Sequence, residues 1–232
     1  MFEEKYKISA VEGNSFSGKT TLLRTLKEKY QVEVAWESMK YAQDKHKFPH
    51  FPPQSIEDAK KAVQIFVDLE KIRINDVIDK CIRSGKPVIM DRSPLSAIVF
   101  EYAIKKLQPD IINVYAYTLE AFQEQVKTKE LSLPSVIVYL EPESRKAFLE
   151  RVKARGQVQV DFLNQPESVE LMQNWYKLVL SDYYADNSSI LLKSRQGDTE
   201  IMAQIVAEFL IKANYTNDTD GILANLLTNE NV

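Results

Sequence analysis

Short unbroken apolar runs alternate along this chain with longer stretches in which apolar residues recur every three or four positions. Residues 6–12, YKISAVE, read as a strand, 13–20 as a glycine-containing loop, and 21–30 as a helix with Leu22, Leu23 and Leu26 on one face. A second strand is expected over 32–36. The stretch KFPHFPPQS that follows is held as loop by its prolines until Ser55 caps a new helix. That helix is predicted over 56–83, where Ala59, Val63, Phe66, Val67, Leu69, Ile72, Ile74, Val77 and Ile78 broadly follow helical spacing before Gly85 ends it. PVIMD at 87–91 and VIVYL at 136–140 are continuous apolar runs, the pattern of strands buried on both faces. Helices are predicted over 96–106, 111–127, 144–155, 170–184 and 199–212, with a last short strand in SSILL at 188–192.

Strands that alternate with helices specify parallel pairing, because each parallel connection needs a long crossover. The expectation is therefore an α/β fold in three layers, α/β/α, around a five-stranded parallel sheet. No internal repeat or linker divides residues 1–213, which read as one domain; 214–232 reads as a tail or a last short helix.

Composition narrows the function classes. Thirty Lys and Arg against 33 Asp and Glu give a formal charge of −3, so no overall positive field favours nucleic acid or an anionic membrane. Any phosphate site must be locally basic. A single cysteine, Cys81, excludes an internal disulfide, and with two histidines it leaves little material for a zinc site; a buried thiol near a helix end is the expected role. No apolar run approaches the roughly 18 residues of a membrane span, so a cytoplasmic location without membrane contact is expected.

Residues 13–20, Gly13-Asn14-Ser15-Phe16-Ser17-Gly18-Lys19-Thr20, fit G-x-x-x-x-G-K-[ST] and lie between an expected strand and an expected helix. This is a P-loop in the context its mechanism requires. The two glycines let the backbone wrap so that its N–H groups face phosphate oxygens. The helix N-terminus adds partial positive charge, Lys19 reaches the β- and γ-phosphates, and Thr20 offers a hydroxyl to Mg²⁺. ATP with Mg²⁺ is the implied ligand. Asp91 stands at the carboxyl end of a buried strand, where open α/β sheets place their ligands, and is the candidate for the Mg²⁺ shell. Arg92 and Ser93 follow it, which sets a cation beside that site for an acceptor. Capping of the next helix by Asp91 or Ser93 is the alternative.

At these residues the chain resembles the thymidylate kinase and deoxynucleoside kinase group of P-loop kinases. Glu12-Gly13 with Ser17-Gly18-Lys19-Thr20-Thr21 is similar to the group's EG-x-x-x-SGKTT opening, and Asp91-Arg92-Ser93 to its DR[YFS] or ERS block. Tyr139-Leu140-Glu141-Pro142-Glu143, followed by Arg151 and Arg155-Gly156, resembles the block that introduces an arginine-bearing lid, here about 151–165. The resemblance spans roughly residues 6–156. It implies transfer of the ATP γ-phosphate to a nucleoside or nucleoside monophosphate, with Arg151 and Arg155 closing over the phosphates and Asp161 orienting one of them. It also implies that Glu37 takes the proton of a 5′-hydroxyl, that Gln64 and Lys71 lie around the base, and that the chain pairs as a homodimer through long helices. A solvated basic helix face is the alternative for the two arginines, and an exposed strand-end carboxylate for Glu37. Phe48, His50, Phe51, Trp36 and Tyr41 are candidates for an aromatic acceptor pocket, or else a cover for the core.

The chain departs from both subfamilies. Lys71 stands where an arginine is usual, Glu70 where thymidylate kinases carry an arginine, Asp91 where deoxynucleoside kinases usually carry glutamate, and Ala97 where they carry an aspartate. A P-loop kinase for a non-nucleoside small molecule, or a nucleotide-binding regulator without turnover, stays open beside the nucleoside reading. A GTPase does not, because no Asn-Lys-x-Asp block is present.

Overall fold

The computed structural model describes residues 7–43, 47–154, 162–184, 187–195, 197–215 and 221–228. Five strands, β1 (Ile8–Glu12), β2 (Glu33–Ala35), β3 (Val88–Asp91), β4 (Val136–Pro142) and β5 (Ser189–Ser194), form one sheet in the order β2-β3-β1-β4-β5. Every pairing is parallel. Among the described residues eight α-helices connect and cover them: α1 (Lys19–Tyr30), α2 (Ile56–Ser84), α3 (Leu95–Leu107), α4 (Tyr115–Lys127), α5 (Arg145–Ala154), α6 (Pro166–Tyr183), α7 (Thr199–Lys212) and α8 (Ile222–Thr228).

The central strands carry apolar residues at successive positions because both faces are buried, and alternate residues supply different cores. Ala10, Met90, Ile137 and Tyr139 point to a large core built with α2, α3, α4, α6 and α8. Val11, Ile89, Val138 and Leu140 point to the other, completed by Leu22, Leu23 and Leu26 of α1 and by Met202, Ala203 and Val206 of α7. This is the expected three-layer arrangement. Cys81 is buried as a free thiol in the first core.

Helix boundaries follow local chemistry. The Ser55 side chain accepts from the Asp58 N–H at 3.0 Å to start α2, and Gly85 in the left-handed conformation ends it. Helix α6 begins four residues before the expected Glu170, at Pro166, the position where proline's fixed φ and missing N–H are tolerated best. Single-turn 3₁₀ helices at Ser38–Tyr41 and Phe162–Asn164 were not expected; they carry too few residues to show a period. After residue 213, α8 packs on α4 and buries Ile222, Leu223 and Leu226. Among the described residues, no helix is long and apolar enough to cross a membrane.

The progression of the chain reverses around β1: it runs outward to β2, returns through β3, and crosses β1 to β4. Ligands of open α/β sheets bind at the carboxyl ends of the strands beside such a switch point. Val11 lies opposite Asp91 and Glu12 opposite Tyr139, which brings the carboxyl ends of β1, β3 and β4 together.

Candidate active site

The loop after β1 is shaped by two glycines for different reasons. Gly13 has φ +132°, and a Cβ there would lie 2.3 Å from the Leu140 carbonyl oxygen of β4. Gly18 has φ +95° with open space around it, so its requirement is conformational alone. Phe16 also takes a positive φ of 63°; its ring packs edge-on against Phe148 of α5, with centroids 6.3 Å apart.

Lys19 is buried, and its ammonium donates to the carbonyls of Gly13 at 2.8 Å and Asn14 at 2.7 Å. Its Ser17 Oγ contact is longer, at 3.4 Å. Burial and the neighbouring Arg92 cation hold the Lys19 pKa well below the usual lysine range, against the pull of Asp91, Glu12 and Glu37. The positive charge therefore sits where water does not stabilise it, and an arriving anion would. Thr20 and Thr21 are exposed at the start of α1. Ser15 borders the cavity described below, and Asn14 is tied to α6 by its Nδ2 donating to the Val169 carbonyl at 3.2 Å.

Asp91 ends β3 with its carboxyl buried; desolvation raises its pKa, opposed by Lys19 and Arg92. Arg92, at φ 67°, donates through Nη1 to the Gly13 carbonyl at 3.1 Å and to Ser96 Oγ at 3.4 Å, and its Nε lies 3.5 Å from Glu37 Oε1. Below it Glu12 is fully buried. Its carboxylate accepts from the Ser93 N–H at 2.6 Å, the Ser96 hydroxyl at 2.7 Å and the Tyr176 hydroxyl at 2.8 Å. Burial and the Glu12 charge push the Tyr176 pKa far up, so this phenol stays a donor.

A cavity of about 510 Å³ opens from Gly13, Glu37 and Arg92 and runs between α2, α3, α4 and α6. Its walls include Phe48, Phe66, Phe100, Phe122 and Met172. The aromatic candidates divide. Phe48, His50 and Phe51 border the cavity, with Phe48 stacked 4.9 Å from Phe66 and Phe51 5.8 Å from Phe100. Trp36 packs on the other core with the Lys40 ammonium 4.6 Å above its ring, and the Tyr41 hydroxyl donates to Asp76 at 2.5 Å.

Helix α2 turns Ala59, Ala62, Val63, Phe66 and Glu70 into the cavity, positions three or four apart as one helical face demands. Gln64 and Lys71 lie off that face, since each residue turns the helix by about 100°. Gln64 is exposed and donates to Asp68 at 3.1 Å; Lys71 pairs with Glu130 of the neighbouring loop at 2.5 Å. Of the two arginines of α2, Arg73 is fully buried; the sequence did not single it out. It donates to Glu70 through Nε at 3.0 Å and Nη2 at 2.5 Å, and to the Asp91 carbonyl through Nη1 at 2.9 Å. Burial raises the Glu70 pKa, against the Arg73 charge.

Arg151 on α5 reaches back to the P-loop. Its Nη1 donates to the Phe16 carbonyl at 3.2 Å and to Ser194 Oγ at 2.8 Å, while Nη2 donates to the Ser194 carbonyl at 2.7 Å. Arg155 and Asp161 lie outside the described residues.

At the P-loop, Thr20 supplies a hydroxyl and Asp91 a carboxylate as the candidate metal donors, and no group of three His, Cys, Asp or Glu side chains that could hold a metal ion gathers among the described residues. Mg²⁺ suits this set, because it uses one or two hard protein oxygens and completes its shell with phosphate and water.

A family model for deoxynucleoside kinases matches residues 9–210. No curated protein matches the chain by sequence. Among solved structures, the chain is similar to a deoxyadenosine kinase from M. mycoides with bound dATP, at TM-score 0.52 and 17% identity over 88% of this chain and 99% of that one. The same kinase with the products dCMP and a flexible dCDP aligns at TM-score 0.58 and 16% identity, over 88% and 99%. A thymidylate kinase from Candida albicans aligns at TM-score 0.59 and 14% identity, over 90% of this chain and 92% of that one. At these identities the likeness is one of fold.

Proposed function

The chain belongs to the deoxynucleoside kinase family, and from that premise we propose that it transfers the γ-phosphate of ATP to the 5′-hydroxyl of a nucleoside held in the cavity. The observation that carries this reading is the Glu37 and Arg92 pair, 3.5 Å apart where the cavity meets Gly13 of the P-loop. A carboxylate and a cation stand together at the one place where acceptor and triphosphate would touch.

A neutral nucleoside fits better than a nucleoside monophosphate. A phosphorylated acceptor brings about two negative charges, and the acidic side chains bordering the cavity are Glu37, Asp58, Glu70 and Glu101. Arg92 is the one Lys or Arg among the described lining residues, and Glu37 already engages it.

In this mechanism the amides of residues 13–18 and the N-terminus of α1 cradle the phosphates. Lys19 leaves the Gly13 and Asn14 carbonyls for the β- and γ-oxygens. Thr20 and Asp91 would hold Mg²⁺, which when bound supplies positive charge against the phosphate oxygens. Glu37 accepts the 5′-hydroxyl proton while Arg92 holds that carboxylate toward the loop and neutralises developing charge. Arg151 positions the loop through Phe16 rather than reaching the cavity, and Arg155 is the lid cation. The proposed kinase unit is 1–213, with a lid about 151–165 and with α8 packed onto its core through α4. The test is ATP-dependent formation of a nucleoside 5′-monophosphate by the wild-type chain and its loss in Lys19→Ala.

A further inference from the structure

The end of the cavity away from the P-loop is bordered by Ile104, Ile112, Thr118 and Phe122, and among these apolar or self-bonded groups stands a carboxylate, Glu101 of α3. Thr118 already gives its hydroxyl to the Val114 carbonyl at 3.0 Å. Glu101 lies five residues beyond Ser96 on the same helix, about 8 Å along its axis, which is comparable to the reach of a nucleoside from its 5′ end to the far edge of its base.

This carboxyl is held rather than loose. Oε2 accepts from Asn113 Nδ2 and from the Val114 N–H, each at 3.3 Å. Asn113 is itself fixed, because Nδ2 also donates to the Glu101 carbonyl at 2.8 Å and Oδ1 accepts from the Tyr115 N–H at 3.1 Å. Oε1 has no hydrogen-bond partner among the described residues. Glu101 lines the cavity, so this oxygen can accept a charge-assisted hydrogen bond from a ligand donor placed there. The other unpaired acid of the lining, Asp58, sits in the first turn of α2, where the helix N-terminus already favours its charge.

Resting on the nucleoside reading, we propose that Glu101 selects the base: Oε1 accepts an N–H from an exocyclic amine on the six-membered ring, as in adenine or cytosine. Uracil and thymine place a carbonyl oxygen at that point of the ring, which would face the carboxylate oxygen lone pair to lone pair. Ala97, one turn earlier on the same face of α3, has no polar atom to take this part.

Deoxycytidine and deoxyuridine have nearly the same shape and differ at the C4 substituent and in the proton on the adjacent N3, so the wild-type enzyme tests the idea directly. Its kcat/KM should favour deoxycytidine by a hundredfold or more, as expected for a site built to hydrogen-bond a substrate N–H. N4,N4-dimethyldeoxycytidine, which keeps the nitrogen and loses its N–H groups, should fall with deoxyuridine. In Glu101→Gln the preference should shrink at least tenfold, because the amide can turn an N–H toward the uracil carbonyl. Calorimetric binding of the two nucleosides without ATP should follow the same order. If nucleosides are phosphorylated but deoxycytidine and deoxyuridine react alike, or the variant keeps the wild-type ratio, the role of Glu101 is overturned while the kinase reading stands. If no nucleoside binds or reacts, both are overturned.

Discussion

Arg92 Nε lies 3.5 Å from Glu37 Oε1 while its Nη1 donates to the Gly13 carbonyl at 3.1 Å. One side chain thus links the end of β2, the end of β3 and the first residue of the phosphate loop. Parallel pairing makes this possible, since β2, β3 and β1 all end on the same edge of the sheet.

Glu37→Gln removes the proton acceptor and keeps the shape. With Glu37 as general base, kcat should fall by about 10²–10⁴, while ATP affinity and nucleoside affinity stay within a few-fold by calorimetry. Unchanged kcat would assign the proton to another group.

Gly13→Ala and Gly18→Ala should separate in thermal melts. Gly18→Ala places a methyl in open space and carries only the left-handed strain, about 1–2 kcal/mol, or a few degrees in Tm. Gly13→Ala adds a collision with the Leu140 carbonyl at 2.3 Å, which belongs to a central strand and cannot swing aside. It should be clearly the less stable variant.

The P-loop, the Asp91-Arg92 pair and all five strands were legible because each announces itself locally, by motif or by an apolar run. Arg73 was not. In sequence it is one more cation in a long helix, and only the fold shows it turned inward onto Glu70 and the Asp91 carbonyl. Gln64 and Lys71 illustrate the converse: spacing seven apart puts two residues on one face, but which face meets the cavity depends on how α2 is rotated against the sheet. Glu101 became visible only through Asn113, twelve residues away.

Arg73→Met should leave Glu70 buried without its counter-charge, at a cost of about 3–5 kcal/mol. The Glu70 pKa is raised above its unfolded value, so the folded state binds the proton more tightly and stability falls as pH rises from the unfolded pKa through the folded one. Without Arg73 that pKa rises further. The loss in denaturant midpoint should therefore be largest at neutral pH and shrink as pH is lowered toward the carboxylate range. The double variant Arg73→Met with Glu70→Met should recover most of it.

Arg151→Lys tests the tether between α5 and the phosphate loop. A lysine cannot bridge the Phe16 carbonyl and both oxygens of Ser194 at once. Loss of these charge-assisted bonds, roughly 1.5–3 kcal/mol each, should raise the KM for ATP more than that for the nucleoside. Equal effects on both would place Arg151 elsewhere in the mechanism.

The central claim is best tested by product analysis after incubation with ATP and Mg²⁺ against deoxynucleosides, ribonucleosides and their 5′-monophosphates, with Lys19→Ala alongside. The account predicts nucleoside 5′-monophosphate from at least one nucleoside, abolished in the variant, and little conversion of monophosphates. Efficient conversion of monophosphates with nucleosides left untouched would contradict it.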